Sequence, residues 1–78
     1  MDLALAESAK LTLSKLPGTL SQRIVNKLER AKDNPFHFFK RLQGRPEYKL
    51  RVGDYRIIAD INDRIIVRYI GNRDHIYD

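Results

Sequence analysis

Lys49, Arg51 and Arg56 sit in one short stretch, Tyr48-Lys49-Leu50-Arg51-Val52-Gly53-Asp54-Tyr55-Arg56-Ile57-Ile58, in which polar and apolar residues alternate. Such alternation is the period of a strand, and Gly53-Asp54 has the composition of a two-residue hairpin turn. A two-residue turn sets Val52 opposite Tyr55, Arg51 opposite Arg56, Leu50 opposite Ile57 and Lys49 opposite Ile58, and cross-strand partners share a face. One face then carries Tyr48, Leu50, Val52, Tyr55, Ile57, Ala59 and Ile61; the other carries Lys49, Arg51 and Arg56. Directly opposed like charges cost up to about 1 kcal/mol, which a neutral residue at either position would avoid. One explanation is simple solvation, with both guanidinium groups splayed into water. The other is a polyanion: convergent cations that hold phosphates relieve their mutual repulsion. Arg73 adds a fourth cation if the last strand returns beside the hairpin. Tyr77 adds an aromatic that can stack on an unpaired base, or else packs down to stop fraying.

The elements that must position these groups follow from the hydrophobic pattern. Leu3-Ala4-Leu5-Ala6 reads as a short first strand with Leu3 and Leu5 on one face. Glu7 to Leu16 reads as a helix closed by Pro17-Gly18. Thr19, with Gln22 three residues on, has capping-box spacing for a second helix that runs to about Asp33. Leu20, Ile24, Leu28 and Ala31 form its apolar stripe, and Gln22, Arg23, Asn26, Lys27 and Arg30 lie mostly off it. Asn34-Pro35 ends that helix. Phe36-His37-Phe38-Phe39 follows as an irregular or single-turn piece leading to Leu42, its aromatics capping the core. After the loop Gly44-Arg45-Pro46, three strands are predicted at about Tyr48–Val52, Tyr55–Ile61 and Ile65–Ile70, with turns at Gly53-Asp54 and Asn62-Asp63. Gly71 onward reads as a turn.

The chain has 78 residues, enough for one small core, so residues 1–78 read as a single domain. Its net charge of +5 favours an acidic partner without choosing among nucleic acid, anionic membrane and acidic protein. With no cysteine, a disulfide framework, thiol catalysis and cysteine-ligated metal are excluded. No apolar stretch approaches the length of a membrane span and the N-terminus lacks the pattern of a secretory signal, so the expected location is the cytoplasm. His37 and His75 are far apart in sequence and lack a carboxylate at ligand spacing, so no metal and no other cofactor is expected.

The basic hairpin segment, followed by Ile70-Gly71-Asn72-Arg73-Asp74-His75-Ile76-Tyr77, resembles the RelE/ParE superfamily of toxin–antitoxin toxins. Glu7-Ser8-Ala9-Lys10 with Leu13 and Lys15-Leu16-Pro17 resembles that family's first helix, and Asn34-Pro35 with Leu42-Gln43-Gly44 its connection into the sheet. The resemblance implies an α+β fold: a short first strand, then a helical hairpin packed on one face of a small antiparallel sheet whose other face is open and basic. RelE-type members are endoribonucleases, or mRNA interferases, that cut mRNA in the ribosomal A site and are held inactive by a RelB-like antitoxin. By similarity, Lys49, Arg51, Arg56, Arg73 and Tyr77 match the catalytic set. Position 51 carries arginine where some active members have lysine, and an arginine stabilises charge but is a poor proton carrier.

The implied reaction is attack of a ribose 2′-hydroxyl on the adjacent phosphate, which needs a base, an acid for the leaving group and cations around the transition state. Arg56 and Arg73 suit the last role, Lys49 is the candidate base, and Tyr77 suits stacking and proton transfer. His75 is either a further acid or base or a surface side chain near the terminus. His37, Phe36, Phe38 and Phe39 read first as packing residues, and any that face outward are candidates to lie under an antitoxin. Two other functions fit the same sequence: a ParE-like inhibitor of DNA gyrase without nuclease activity, and a module that binds RNA without cutting it.

Overall fold

Leu3 and Leu5 alternate with Ala4, and the strand they form pairs with a segment from the far end of the chain. A computed structural model describes residues 1–72; Arg73, His75 and Tyr77 lie outside the described residues. Strand β1 (Leu3–Leu5) runs parallel to the last described strand, with Leu3, Ala4 and Leu5 beside Ile65, Ile66 and Val67. Backbone bonds close both ends of this pairing: Ile65 N–H donates to the Asp2 carbonyl and Ala6 N–H to the Val67 carbonyl, each at 2.8 Å.

Helix α1 (Glu7–Lys15) and helix α2 (Gly18–Asp33) are joined by Leu16 and Pro17 alone. Leu16 is extended, at φ −83° and ψ 153°, because the Pro17 ring excludes the preceding residue from helical dihedrals. The capping box expected at Thr19 and Gln22 does not form. Pro17 is the N-cap, no side chain caps α2, and Ser21 N–H donates to the Pro17 carbonyl at 3.0 Å. Proline's fixed φ pre-shapes the first turn, so the helix starts before a Thr19 hydroxyl could cap it. The Gln22 amide donates instead to Asn26 Oδ1, one turn along, at 2.8 Å.

Pro35 opens α3 (Pro35–Phe38), the single turn anticipated at this point. It feeds β2 (Lys40–Arg41), a two-residue strand absent from the sequence expectation. Then come β3 (Tyr48–Val52), β4 (Tyr55–Ile61) and β5 (Ile65–Asn72). The order across the sheet is β1-β5-β4-β3-β2. Strands β2 to β5 are antiparallel and only β1 is parallel, so the sheet is mixed. β5 runs to Asn72, past the expected end at Ile70, because Tyr55 and Arg56 of β4 offer partners to Asn72 and Gly71.

The apolar stripe of α2 does what its spacing predicts: Ile24, Leu28 and Ala31 are buried, with Leu20 packed at the margin. They meet Leu50, Val52, Ile57, Ala59, Ile61, Ile65, Val67 and Ile70 from the sheet, and Ala9 from α1. Phe39 is fully buried in this core and anchors the α3 segment, a contribution of about 1.5–3 kcal/mol from burial. Phe36 is 55% exposed and lies 5.6 Å from the Tyr48 ring, so of the three phenylalanines it is the one that faces outward, beside an exposed His37. No helix among the described residues is long and apolar enough to cross a membrane.

Candidate functional site

Gly53 sets the geometry of the basic hairpin. Its φ is +58°, and no non-glycine residue among those described has positive φ, so Asp54 keeps an ordinary backbone. Positive φ at the first central position alone is the pattern of a type II′ turn, whose twist matches that of paired strands. The resulting register is the one expected: Val52 opposite Tyr55, Arg51 opposite Arg56, Leu50 opposite Ile57 and Lys49 opposite Ile58. Lys49, Arg51 and Arg56 therefore share the sheet face that turns away from the helices.

That face is not uniformly open. Arg51 is exposed and Lys49 half-buried, but Arg56 is only 8% exposed and Ile58 beside it only 2%. The open basic face that the resemblance implies is corrected at Arg56, and the two guanidinium groups are not both splayed into water. β4 is the middle strand of the sheet, so Arg56 has a strand on either side, with Arg51 and Gly71 as its neighbours, whereas β3 lies near the edge. Arg56 is a buried charge within the face, and Lys49 and Arg51 are its accessible rim.

A second device shapes the face. Ile58 pairs with Tyr69 and Ala59 with Val67, which leaves Arg68 as the extra residue of a β-bulge in β5. The Arg68 carbonyl accepts a hydrogen bond from the Ser8 hydroxyl of α1 at 3.0 Å, and Arg68 Nε donates to Asp60 Oδ2 at 2.8 Å. Asp60 thus pairs with Arg68 on the face that also carries Lys49, Arg51 and Arg56.

Two further cations join this set without having been singled out from sequence. Lys40 in β2 stands directly opposite Lys49. Lys27, on the flank of α2, lies 5.5 Å from the Phe38 ring centre. Together with His37, Phe38, Lys49 and Arg51 they line a cleft of about 510 Å³ along the outer edge of β3. The signal for Lys40 was its place in Phe36-His37-Phe38-Phe39-Lys40-Arg41, where a run of aromatics passes into two cations. Lys27 carries no such signal, because its position depends on where α3 docks. Arg73 and Tyr77, the other proposed site residues, lie outside the described residues, as does His75, whose role the sequence left open.

The architecture has close counterparts. A solved RelB–RelE antitoxin–toxin complex from Methanococcus jannaschii contains a chain that is 30% identical, with 96% of this chain and 95% of that chain covered and a TM-score of 0.77. The archaeal RelE–RelB complex from Pyrococcus horikoshii matches at 21% identity over 96% and 97% of the two chains, TM-score 0.79. The intact Escherichia coli RelBE toxin–antitoxin complex matches at 23% over 91% and 94%, TM-score 0.77; at these two lower identities the likeness is one of fold. No curated protein matches the sequence. A family model described as the ParE toxin of the type II toxin–antitoxin system parDE matches residues 3–77. A match over that length takes in the helical hairpin, the bulged sheet and the basic turn together, and it places this chain in the RelE/ParE family of type II toxin–antitoxin toxins.

Proposed function

We propose that the chain is an mRNA interferase of the RelE kind, an endoribonuclease acting on messenger RNA in the ribosomal A site and neutralised by a RelB-like antitoxin. The observation that carries this reading is the register of the β3–β4 hairpin, which puts Lys49, Arg51 and Arg56 on one face with Arg51 directly opposite Arg56. A gyrase inhibitor that cuts no phosphodiester has no evident need for this arrangement. The 30% identity to the RelE chain of the Methanococcus jannaschii complex points the same way.

In the proposed reaction the ribose 2′-oxygen attacks the adjacent phosphorus and the 5′-oxygen of the next nucleotide leaves, giving a cyclic phosphate and a 5′-hydroxyl. Lys49, half-buried on the rim, takes the 2′-hydroxyl proton. Arg51 is exposed and grips the phosphate directly, with guanidinium geometry suited to two oxygens at once. Arg56 acts from a drier position: in a low-dielectric setting a fixed cation stabilises developing phosphorane charge more strongly than it would in water. Arg73 joins it in that role, and Tyr77 stacks on a base beside the scissile bond and passes a proton to the leaving oxygen.

Mapping of messages after induction without an antitoxin tests this. Discrete cuts inside translated frames, with 5′-hydroxyl ends, are expected, and Arg56→Ala or Lys49→Ala should lower the cleavage rate by about 10²–10³. The second reading, gyrase inhibition, is favoured by the ParE description of the matching family model. Inhibited supercoiling with intact messages would establish it in place of the first.

A further inference from the structure

We infer that the cleft along the outer edge of β3 is a single-stranded RNA subsite, holding the nucleotide next to the one that is cut: Lys27 and Lys40 on its phosphate, His37 against its base. This rests on the endoribonuclease reading and extends it to residues from α2, α3 and β2. Four features point to a nucleotide. The volume, about 510 Å³, suits a nucleotide-sized ligand. Among the described residues, four of the lining side chains, Lys27, Lys40, Lys49 and Arg51, are cationic and none is acidic, which suits an anion. Two of those four, Lys49 and Arg51, also belong to the proposed catalytic face, so a strand gripped there continues directly into the cleft.

The fourth feature is aromatic. His37 is exposed and meets the Phe38 ring edge-on at 5.0 Å, which holds the imidazole while leaving it open to a stacking partner. Lys27 and Arg30 sit over the Phe38 ring at 5.5 and 5.4 Å, so that ring serves as the floor that fixes Lys27. β2 pairs only with Tyr48 and Lys49, and among the described residues no strand covers the rest of β3 on this side. The cleft is therefore open along the edge, as a passing strand requires.

The test uses the full chain, a fluorescent single-stranded hexaribonucleotide and a ribosome-bound message. Lys27→Met keeps the stem over Phe38 and removes the charge. Loss of one phosphate contact lowers the salt slope by about 0.7, which at about 0.1 M salt is roughly fivefold weaker binding. Lys27→Arg should restore both. His37→Ala should weaken binding by roughly fivefold or more through lost stacking, with the salt slope unchanged. In the cleavage assay both variants should raise KM with little change in kcat. Wild-type cleavage with Lys27→Met and His37→Ala within twofold of it would overturn the subsite while leaving the nuclease reading intact. Weakened antitoxin binding with unaltered RNA binding would show the cleft to be a protein-docking surface and overturn it equally. Absence of RNA binding and cleavage in the wild type would instead remove the reading on which the subsite rests.

Discussion

Replacing Gly53 with alanine isolates the backbone from everything else at the hairpin. The residue sits at φ +58°, where an L-residue loses about 1–2 kcal/mol relative to its preferred conformations. Crowding adds nothing, because the nearest heavy atom to a new Cβ is Arg23 Nη2 at 3.7 Å, an ordinary contact on a flexible side chain. Against the strain stands the stiffer unfolded chain, which offsets about 0.4–1 kcal/mol. The net loss is about 1 kcal/mol, and for a domain of this size that lowers Tm by about 4–8 °C. Gly18→Ala is the internal control: Gly18 begins α2 without positive φ and with nothing within 4 Å of a new Cβ, so the same change should raise stability by about 0.4–1 kcal/mol. Thermal denaturation of the two variants beside the wild type gives the comparison. Shifts of the same sign, or a Gly53→Ala protein as stable as the parent, would refute the assignment of the turn as the device that sets the register.

Phe39→Ala should cost about 3–5 kcal/mol in urea unfolding, since a fully buried ring leaves a cavity under α3; a loss under about 1 kcal/mol would mean that the segment is not anchored there. Ser8→Ala removes the bond to the Arg68 carbonyl and should cost about 0.5–1.5 kcal/mol, with faster amide exchange around the bulge as its local signature. Arg51→Gln relieves the pair opposite Arg56 and should raise stability by up to about 1 kcal/mol while RNA cleavage falls; a variant both less stable and fully active would contradict the assignment. The Asp60–Arg68 ion pair is largely exposed on the arginine side, so a double-mutant cycle should give less than about 1 kcal/mol and less still at high salt.

The parts of this fold that were legible in the sequence are those governed by local rules. The alternation from Tyr48 to Ile61 and the Gly53-Asp54 turn dictated register residue by residue, and the α2 stripe identified Ile24, Leu28 and Ala31 as core. What was not legible depends on tertiary pairing. β2 is two residues long and has no periodicity to read; it exists because Lys40 and Arg41 come to rest beside Lys49 and Tyr48. The parallel placement of β1 is a contact between sequence-distant segments, and local pattern carries no information on it. The capping box failed because Pro17 started the helix before Thr19 could act. The burial of Arg56 was missed for a related reason: alternation assigns a face, whereas exposure depends on how central the strand is. Lys27 joined the site only through the docking of α3 against α2.

The side-by-side placement of β1 and β5 has a consequence for biosynthesis. β1 leaves the ribosome long before β5, its hydrogen-bonding partner, so a nascent chain lacking Ile65–Val67 holds Leu3 and Leu5 without the strand they pair with in the finished sheet. The α1–α2 hairpin can form during translation, but the sheet is closed along this edge only once β5 has been made. Pairing of β1 is thereby deferred, by topology alone, until synthesis has passed that point.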